Sequence, residues 1–250
     1  MIDLHKNGDR AVIEIRHAKA VNPFSRGMTR QLTALCTEVE ADDSLSGVLI
    51  WGGKGRSFSV GGDFADLRKM TSAAEAKLYL TDIVRSYQAV LAISKPVVTA
   101  VDHHAIGQGL QVALLGDWRI GSERSHYAMP ELANGMPCPL GAALLESLLG
   151  RAAMLNLVMG CQSLNAREAE RRCLIDAVCP HGDLRSDALA QLDRLCGYPA
   201  GSFRSTKRIH NGRLIKVLDE VCEQASCAHA DSYAQGHGQP HFSKILGDDP

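Results

Sequence analysis

A chain of 250 residues that is 45% hydrophobic is long enough to bury one substantial core, and 27 Lys and Arg against 28 Asp and Glu leave a formal charge of -1. That balance supplies no global basic field, so neither nucleic acid nor a membrane surface is expected as a partner. No stretch approaches the roughly 18 apolar residues that span a bilayer, and Met1-Ile2-Asp3-Leu4-His5-Lys6 has no apolar signal core, so the expectation is a cytoplasmic protein. Eight scattered cysteines without C-x-x-C spacing read as packing thiols rather than a zinc site or a disulfide framework.

In chain order, the turn Asn7-Gly8-Asp9 and the alternating Val12-Ile13-Glu14-Ile15 predict an N-terminal hairpin. Met28, Leu32, Leu35 and Val39 recur at helical spacing and predict a helix from Met28 to Ala41. Gly47-Val48-Leu49-Ile50-Trp51 reads as a central strand, followed by the glycine loop Ser59-Val60-Gly61-Gly62-Asp63-Phe64, where Asp63 is placed to cap a helix. Ala76, Leu80, Ile83, Val84, Tyr87, Val90 and Leu91 predict an amphipathic helix over 73–93, stopped by Lys95-Pro96. A buried strand over 96–101 then leads to Gly107-Gln108-Gly109, which opens an apolar helix. After a short strand, Trp118-Arg119-Ile120-Gly121, and a Gly- and Pro-rich loop, helices are predicted over 142–149, 151–160, 166–172, 184–196, 199–211 and 213–232. Strands alternating with helices, then a helical section, define the class as α/β.

Both glycine loops run from a strand into a helix start, where free N–H groups stand at the positive end of the helix dipole. Such groups suit an anion, or a carbonyl oxygen that becomes an oxyanion; a tight turn alone would also call for the glycines.

Ser59 to Phe64, Lys95-Pro96, Ala105 to Gln111, Met129-Pro130-Glu131 and the helical final third agree in order and spacing with the crotonase (enoyl-CoA hydratase/isomerase) superfamily, which the chain resembles along nearly its whole length. The resemblance implies a crotonase fold: a ββα superhelical spiral core over 1–195, with a helical trimerisation region and active-site cover over 196–250. It implies a homotrimer and an acyl-CoA thioester whose carbonyl is held by the N–H groups of Gly62 and Gln108. Hydratases of that superfamily use two glutamates; the first position here is Gln111, whose amide takes up no proton at neutral pH, and only Glu131 remains. Two-carboxylate water addition is therefore disfavoured.

Asn22-Pro23-Phe24-Ser25-Arg26, Arg56-Ser57-Phe58-Ser59, Tyr87-Gln88-Ala89-Val90-Leu91, Cys161-Gln162-Ser163-Leu164 and Tyr198-Pro199-Ala200 extend the likeness to the carboxymethylproline synthase branch of carbapenem biosynthesis. That resemblance implies malonyl-CoA and a cyclic imino acid, pyrroline-5-carboxylate, as substrates, with no metal or organic cofactor. Gly62 and Gln108 would hold an enolate, Glu131 would activate the water that hydrolyses the thioester, and Gln111, His229 and Tyr79 would meet the substrates. Phe24, Arg26, Gly61, Asp63, Phe64 and Lys244 are the implied CoA contacts, with Thr206-Lys207-Arg208 as a further candidate for its phosphates. Gln108 and Tyr79 depart from that branch, which has an apolar residue and a larger aromatic there. An enoyl-CoA isomerase using Glu131 as its single acid/base, and a non-catalytic CoA-binding homologue, are the alternatives. Against these roles stand plainer ones: Glu131 as a helix-entry carboxylate, His229 as a packing histidine, His103 and His104 as solvated side chains.

Overall fold

A computed structural model describes residues 1–70, 72–236 and 246. The hairpin pairs β1 (Ile2–Asn7) with β2 (Arg10–Ile15), and α1 (Arg26–Ala41) starts at Ser25, whose hydroxyl accepts from the Met28 N–H. There follow β3 (Gly47–Trp51), the short α2 (Phe64–Leu67), α3 (Ala73–Ala92), β4 (Val97–Val101), β5 (His104–Ile106), α4 (Gln108–Ala113), β6 (Trp118–Ser122) and β7 (His126–Ala128). The remainder comprises α5 (Pro139–Leu149), α6 (Arg151–Met154) running into a π-helical turn, β8 (Ser163–Asn165), α7 (Ala166–Arg171), β9 (Ala177–Cys179), α8 (Leu184–Cys196) and α9 (Ala200–Ala234).

One six-stranded sheet has the order β1-β2-β3-β4-β6-β9, antiparallel in its first pair and parallel thereafter; β5-β7-β8 form a smaller sheet beside it. The period-two geometry of a strand explains how the large sheet is covered on both faces. Val48, Ile50, Val97 and Val101 point into the main core with α1 and α3. Leu49, Trp51, Val98 and Ala100 point the other way, against Leu184, Ala188, Leu192 and Leu195 of α8. Asn22 fixes the loop that leads into α1. Fully buried and at φ +52°, its Nδ2 donates to the carbonyls of Ile15, Gly52 and Ser57 at 2.8–2.9 Å.

Two sequence expectations need correction. The helices expected over 199–211 and 213–232 are one continuous α9. Gly212 weakens helix propensity, but Asn211 Nδ2 donates to Leu91 O at 2.8 Å and packing against α3 carries the helix through. Lys207, read as a possible phosphate ligand, is buried instead. Its Nζ donates to Asp117 Oδ2 at 2.6 Å and Lys95 O at 2.8 Å, pinning α9 to the sheet. Burial lowers the Lys207 pKa and raises that of Asp117, each against the pull of its partner. Four strands of three residues each, β5, β7, β8 and β9, were too short to show a period in sequence. No helix among the described residues is long and apolar enough to cross a membrane.

Candidate active site

The two glycine loops come together at the mouth of a cavity of about 480 Å³. Phe24 clamps the first loop through its backbone. Its N–H donates to Gly61 O at 2.6 Å, and its carbonyl accepts from the Asp63 N–H at 2.8 Å, so Gly62 stands between two tied residues. The second loop is tied to the first where the Ile106 N–H donates to Ser59 O at 2.9 Å. Gly107 adopts φ +54° and ψ -125°, a backbone state open essentially only to glycine, and its N–H is engaged by Ala128 O at 2.9 Å. Gly109 permits the close approach, since a Cβ there would lie 2.5 Å from Ser59 O. Among the described residues, the N–H groups of Gly62 and Gln108 have no acceptor; Gln108 is the first residue of α4. Two adjacent, rigidly held, unused donors are what an oxyanion requires.

Glu131 stands on the same cavity wall, just after Pro130 and before a single 3-10 turn over Leu132–Asn134. Its Oε1 accepts from Gln111 Nε2 at 3.2 Å, while Oε2 is enclosed with no hydrogen-bond partner. Burial pushes its pKa up to about 7, against the opposing pull of hydrogen bonds from its own backbone, Cys138 and Gln111. The carboxyl therefore exchanges its proton near neutrality, and its spare oxygen is satisfied only by protonation, a water or a substrate proton. Its side chain makes no cap for the 3-10 turn.

Two short polar chains run through this wall. The Tyr79 hydroxyl donates to Gln108 Oε1 at 3.1 Å, and Gln108 Nε2 donates to Thr29 Oγ1 at 3.1 Å. The Tyr87 hydroxyl donates to Gln111 Oε1 at 2.8 Å, which leaves the Gln111 amide nitrogen to face Glu131. Sequence reading places Tyr87 on the apolar face of its helix, takes Cys138 as one of the packing thiols and assigns Thr29 no role. The available signal for Tyr87 was a phenol at a buried helical position, since a buried Tyr hydroxyl needs a partner.

Of the residues singled out in sequence, Gly61, Gly62, Asp63, Phe64, Tyr79, Gln108, Gln111, Glu131 and His229 all line the cavity. Asp63 also caps α2, its Oδ1 accepting from the Ala65 N–H at 3.0 Å. His229, on α9, is brought in by helix length alone. Burial lowers its pKa to about 4, with a hydrogen bond to the Pro137 backbone opposing, so it is a neutral imidazole near pH 7. The Phe24 side chain is buried in the core and serves the site only through its backbone. Arg26 lies off the cavity wall, its Nε 3.8 Å from Asp66 Oδ2. Lys244 lies outside the described residues. His103, His104 and His126 stack on one another away from the cavity.

The enoyl-CoA hydratase/isomerase family model matches residues 6–241. The chain belongs to this family, the crotonase superfamily. It is 34% identical over 97% of both chains to the carboxymethylproline synthase of Pectobacterium carotovorum subsp. carotovorum. A probable enoyl-CoA hydratase of Mycobacterium bovis is 25% identical over 84% of this chain and 80% of its own. Among solved structures, ThnE from S. clavuligerus superposes with a TM-score of 0.80 at 33% identity, covering 91% of this chain and 100% of that one. An enoyl-CoA hydratase/isomerase from Mycobacterium paratuberculosis, at 22% identity and a TM-score of 0.89 over 97% of each chain, shares the fold. This crotonase thus combines paired loop donors with the Glu131 carboxylate and, one turn into α4, the Gln111 amide.

Proposed function

We propose that this crotonase makes a carbon–carbon bond in the manner of a carboxymethylproline synthase, from malonyl-CoA and pyrroline-5-carboxylate. The observation that carries the reading is Gln111 donating to a lone Glu131 beside the two free loop N–H groups. The terminal carbon–carbon bond of malonyl-CoA breaks to release carbon dioxide, and the electron pair passes into an enolate whose oxygen accepts from the Gly62 and Gln108 N–H groups. Two such donors, preorganised in a dry pocket, are worth several kcal/mol. The enolate carbon attacks the imine carbon, the imine nitrogen takes up a proton, and carboxymethylproline is formed as its CoA thioester. Glu131 then accepts a proton from water as that water attacks the thioester, releasing coenzyme A and the free acid.

Gln111 and His229, on the cavity wall, would meet the substrates, and Tyr79 with Gln108 would shape the acyl end. The reaction asks for no metal or organic cofactor, because the loop donors supply the electrophilic assistance. The reading carries a homotrimer, with residues 196–250 as its helical assembly and cover region.

Mass spectrometry of the protein with malonyl-CoA, with and without pyrroline-5-carboxylate, tests it. Carboxymethylproline or its thioester appearing only with the imine is the expected result. Untouched malonyl-CoA, or acetyl-CoA alone in both mixtures, removes the reading. A second reading is favoured by one observation: a carboxyl with its pKa near 7 also suits the proton shuttle of an enoyl-CoA isomerase. Turnover of a 3-enoyl-CoA without any amino acid would select it.

A further inference from the structure

Tyr87 is fully enclosed on α3, and its hydroxyl has one partner among the described residues, Gln111 Oε1 at 2.8 Å. The terminal torsion of glutamine is soft, so by itself the Gln111 amide could present either its nitrogen or its oxygen to Glu131. The two arrangements suit opposite charge states. Nitrogen toward Glu131 donates to an ionised carboxylate; oxygen toward Glu131 sets lone pair against lone pair unless the carboxyl is protonated. With the amide reversed, the phenol proton of Tyr87 would also lose its acceptor inside a closed core. Tyr87 therefore disfavours one of the two arrangements.

We propose that Tyr87 is a positioning residue: by donating to Gln111 Oε1 it locks the amide nitrogen toward Glu131, and so orients that carboxylate and keeps it able to accept a proton. The inference rests on Glu131 as the working carboxylate of the proposed reaction. The second hydrogen of Gln111 Nε2 is directed at Met129 Sδ, 3.7 Å away, a weak acceptor that does not compete with Glu131. The other titratable groups facing the carboxyl are the Cys138 thiol at the start of α5 and the Tyr87 phenol, both held protonated by burial. Further round the same cavity stand neutral His229 from α9, Asp63 at the start of α2, and Lys19. Gln111 Nε2, the donor 3.2 Å from Glu131 Oε1, is the one that Tyr87 orients.

The test is a carbon-13 NMR titration of full-length protein carrying glutamate labelled at the carboxyl carbon, with the Glu131 signal assigned by its loss in Glu131→Gln. No substrate is present. In Tyr87→Phe the Glu131 midpoint is expected to rise by about one pH unit. Gln111→Met should raise it similarly, and adding Tyr87→Phe to Gln111→Met should move it no further, because the effect passes through the amide. A Tyr87→Phe midpoint within about 0.3 pH units of the parent, or a further rise of similar size in the double variant, overturns the proposal. Should Tyr87→Phe fail to fold, Gln111→Met decides: an unmoved midpoint there overturns it as well. The titration reads the carboxylate whether or not the chain forms carbon–carbon bonds, so its failure and that of the proposed reaction are told apart. Where the reaction runs, the pH profile of thioester hydrolysis should shift with the NMR midpoint while KM for malonyl-CoA stays unchanged, which a merely structural role would not produce.

Discussion

Replacing Gly107 with alanine tests the loop geometry and the carboxylate in one step. The backbone there sits at φ +54° and ψ -125°, and forcing an L side chain into such a state costs about 1–3 kcal/mol. The new Cβ would also lie 2.9 Å from Glu131 Oε1, a few tenths of an ångström closer than carbon and oxygen tolerate. Either the carboxylate gives way, breaking its 3.2 Å bond from Gln111, or the loop does, moving the Gln108 N–H out of line. Stability should fall by about 1–3 kcal/mol, which for a chain of this size lowers Tm by about 3–10 °C. Misplacement of reacting groups by a fraction of an ångström to one ångström should lower kcat by about 10- to 100-fold. Differential scanning calorimetry reads the first, and malonyl-CoA consumption below the unfolding range reads the second. A Gly107→Ala protein with parental Tm and parental turnover would refute both the strain and the placement of Glu131 behind this loop.

Glu131→Gln should slow thioester release by about 10²- to 10⁴-fold while sparing bond formation, so that the CoA thioester of the product accumulates in the mass spectrum. The same variant tests the pH linkage. A carboxyl raised from 4.5 to about 7 on folding binds more protons folded than unfolded across that window, so its contribution to stability falls as pH rises through it. The stabilising effect of Glu131→Gln, followed as Tm against pH, should therefore be larger at pH 8 than at pH 5. His229 runs the other way: lowered from 6.5 to about 4, it makes stability rise with pH between those values, a slope that His229→Asn should remove in the same measurement. Lys207→Met strands Asp117 without its cation in a buried site and should cost about 3–5 kcal/mol in urea unfolding; a change within experimental error would refute the pinning role of the pair.

The parts of the site that were legible in sequence are those whose chemistry lies in consecutive residues. The two glycine loops, Pro130-Glu131 and the amide at Gln111 can each be read in place, since a tight turn or a missing carboxyl is a local fact. Tyr87 meets Gln111 from 24 residues away and Thr29 meets Gln108 from 79, so their roles exist only after folding. Lys207 shows the converse. Next to Arg208 it reads as an exposed basic face, and only the fold reveals Asp117, 90 residues distant, as its partner. The sheet followed from alternation in β2 and from continuous apolar runs in β3 and β4, whereas three-residue strands and the unbroken α9 depend on neighbours that local propensity does not contain.

The chemistry of the cavity wall also bears on what happens to the proposed enolate after decarboxylation. An enolate destined for a carbon electrophile is lost if a nearby acid protonates it first. Burial raises the pKa of Tyr79, Tyr87 and Cys138 above their ordinary values, so each holds its proton more firmly than in water. His229, its pKa lowered to about 4 by burial, is neutral near pH 7 and has almost no imidazolium proton to give there. Glu131, the carboxyl beside the loop donors, is mostly ionised above pH 7 and so acts as an acceptor. A second carboxyl at position 111 would raise one of the pair further, through like-charge repulsion, and hold a proton beside the enolate; the amide removes that acid and adds a donor. Gln111→Glu should accordingly divert malonyl-CoA toward acetyl-CoA at the expense of the imine adduct. An unchanged product ratio would mean that proton supply at α4 does not govern the fate of the enolate.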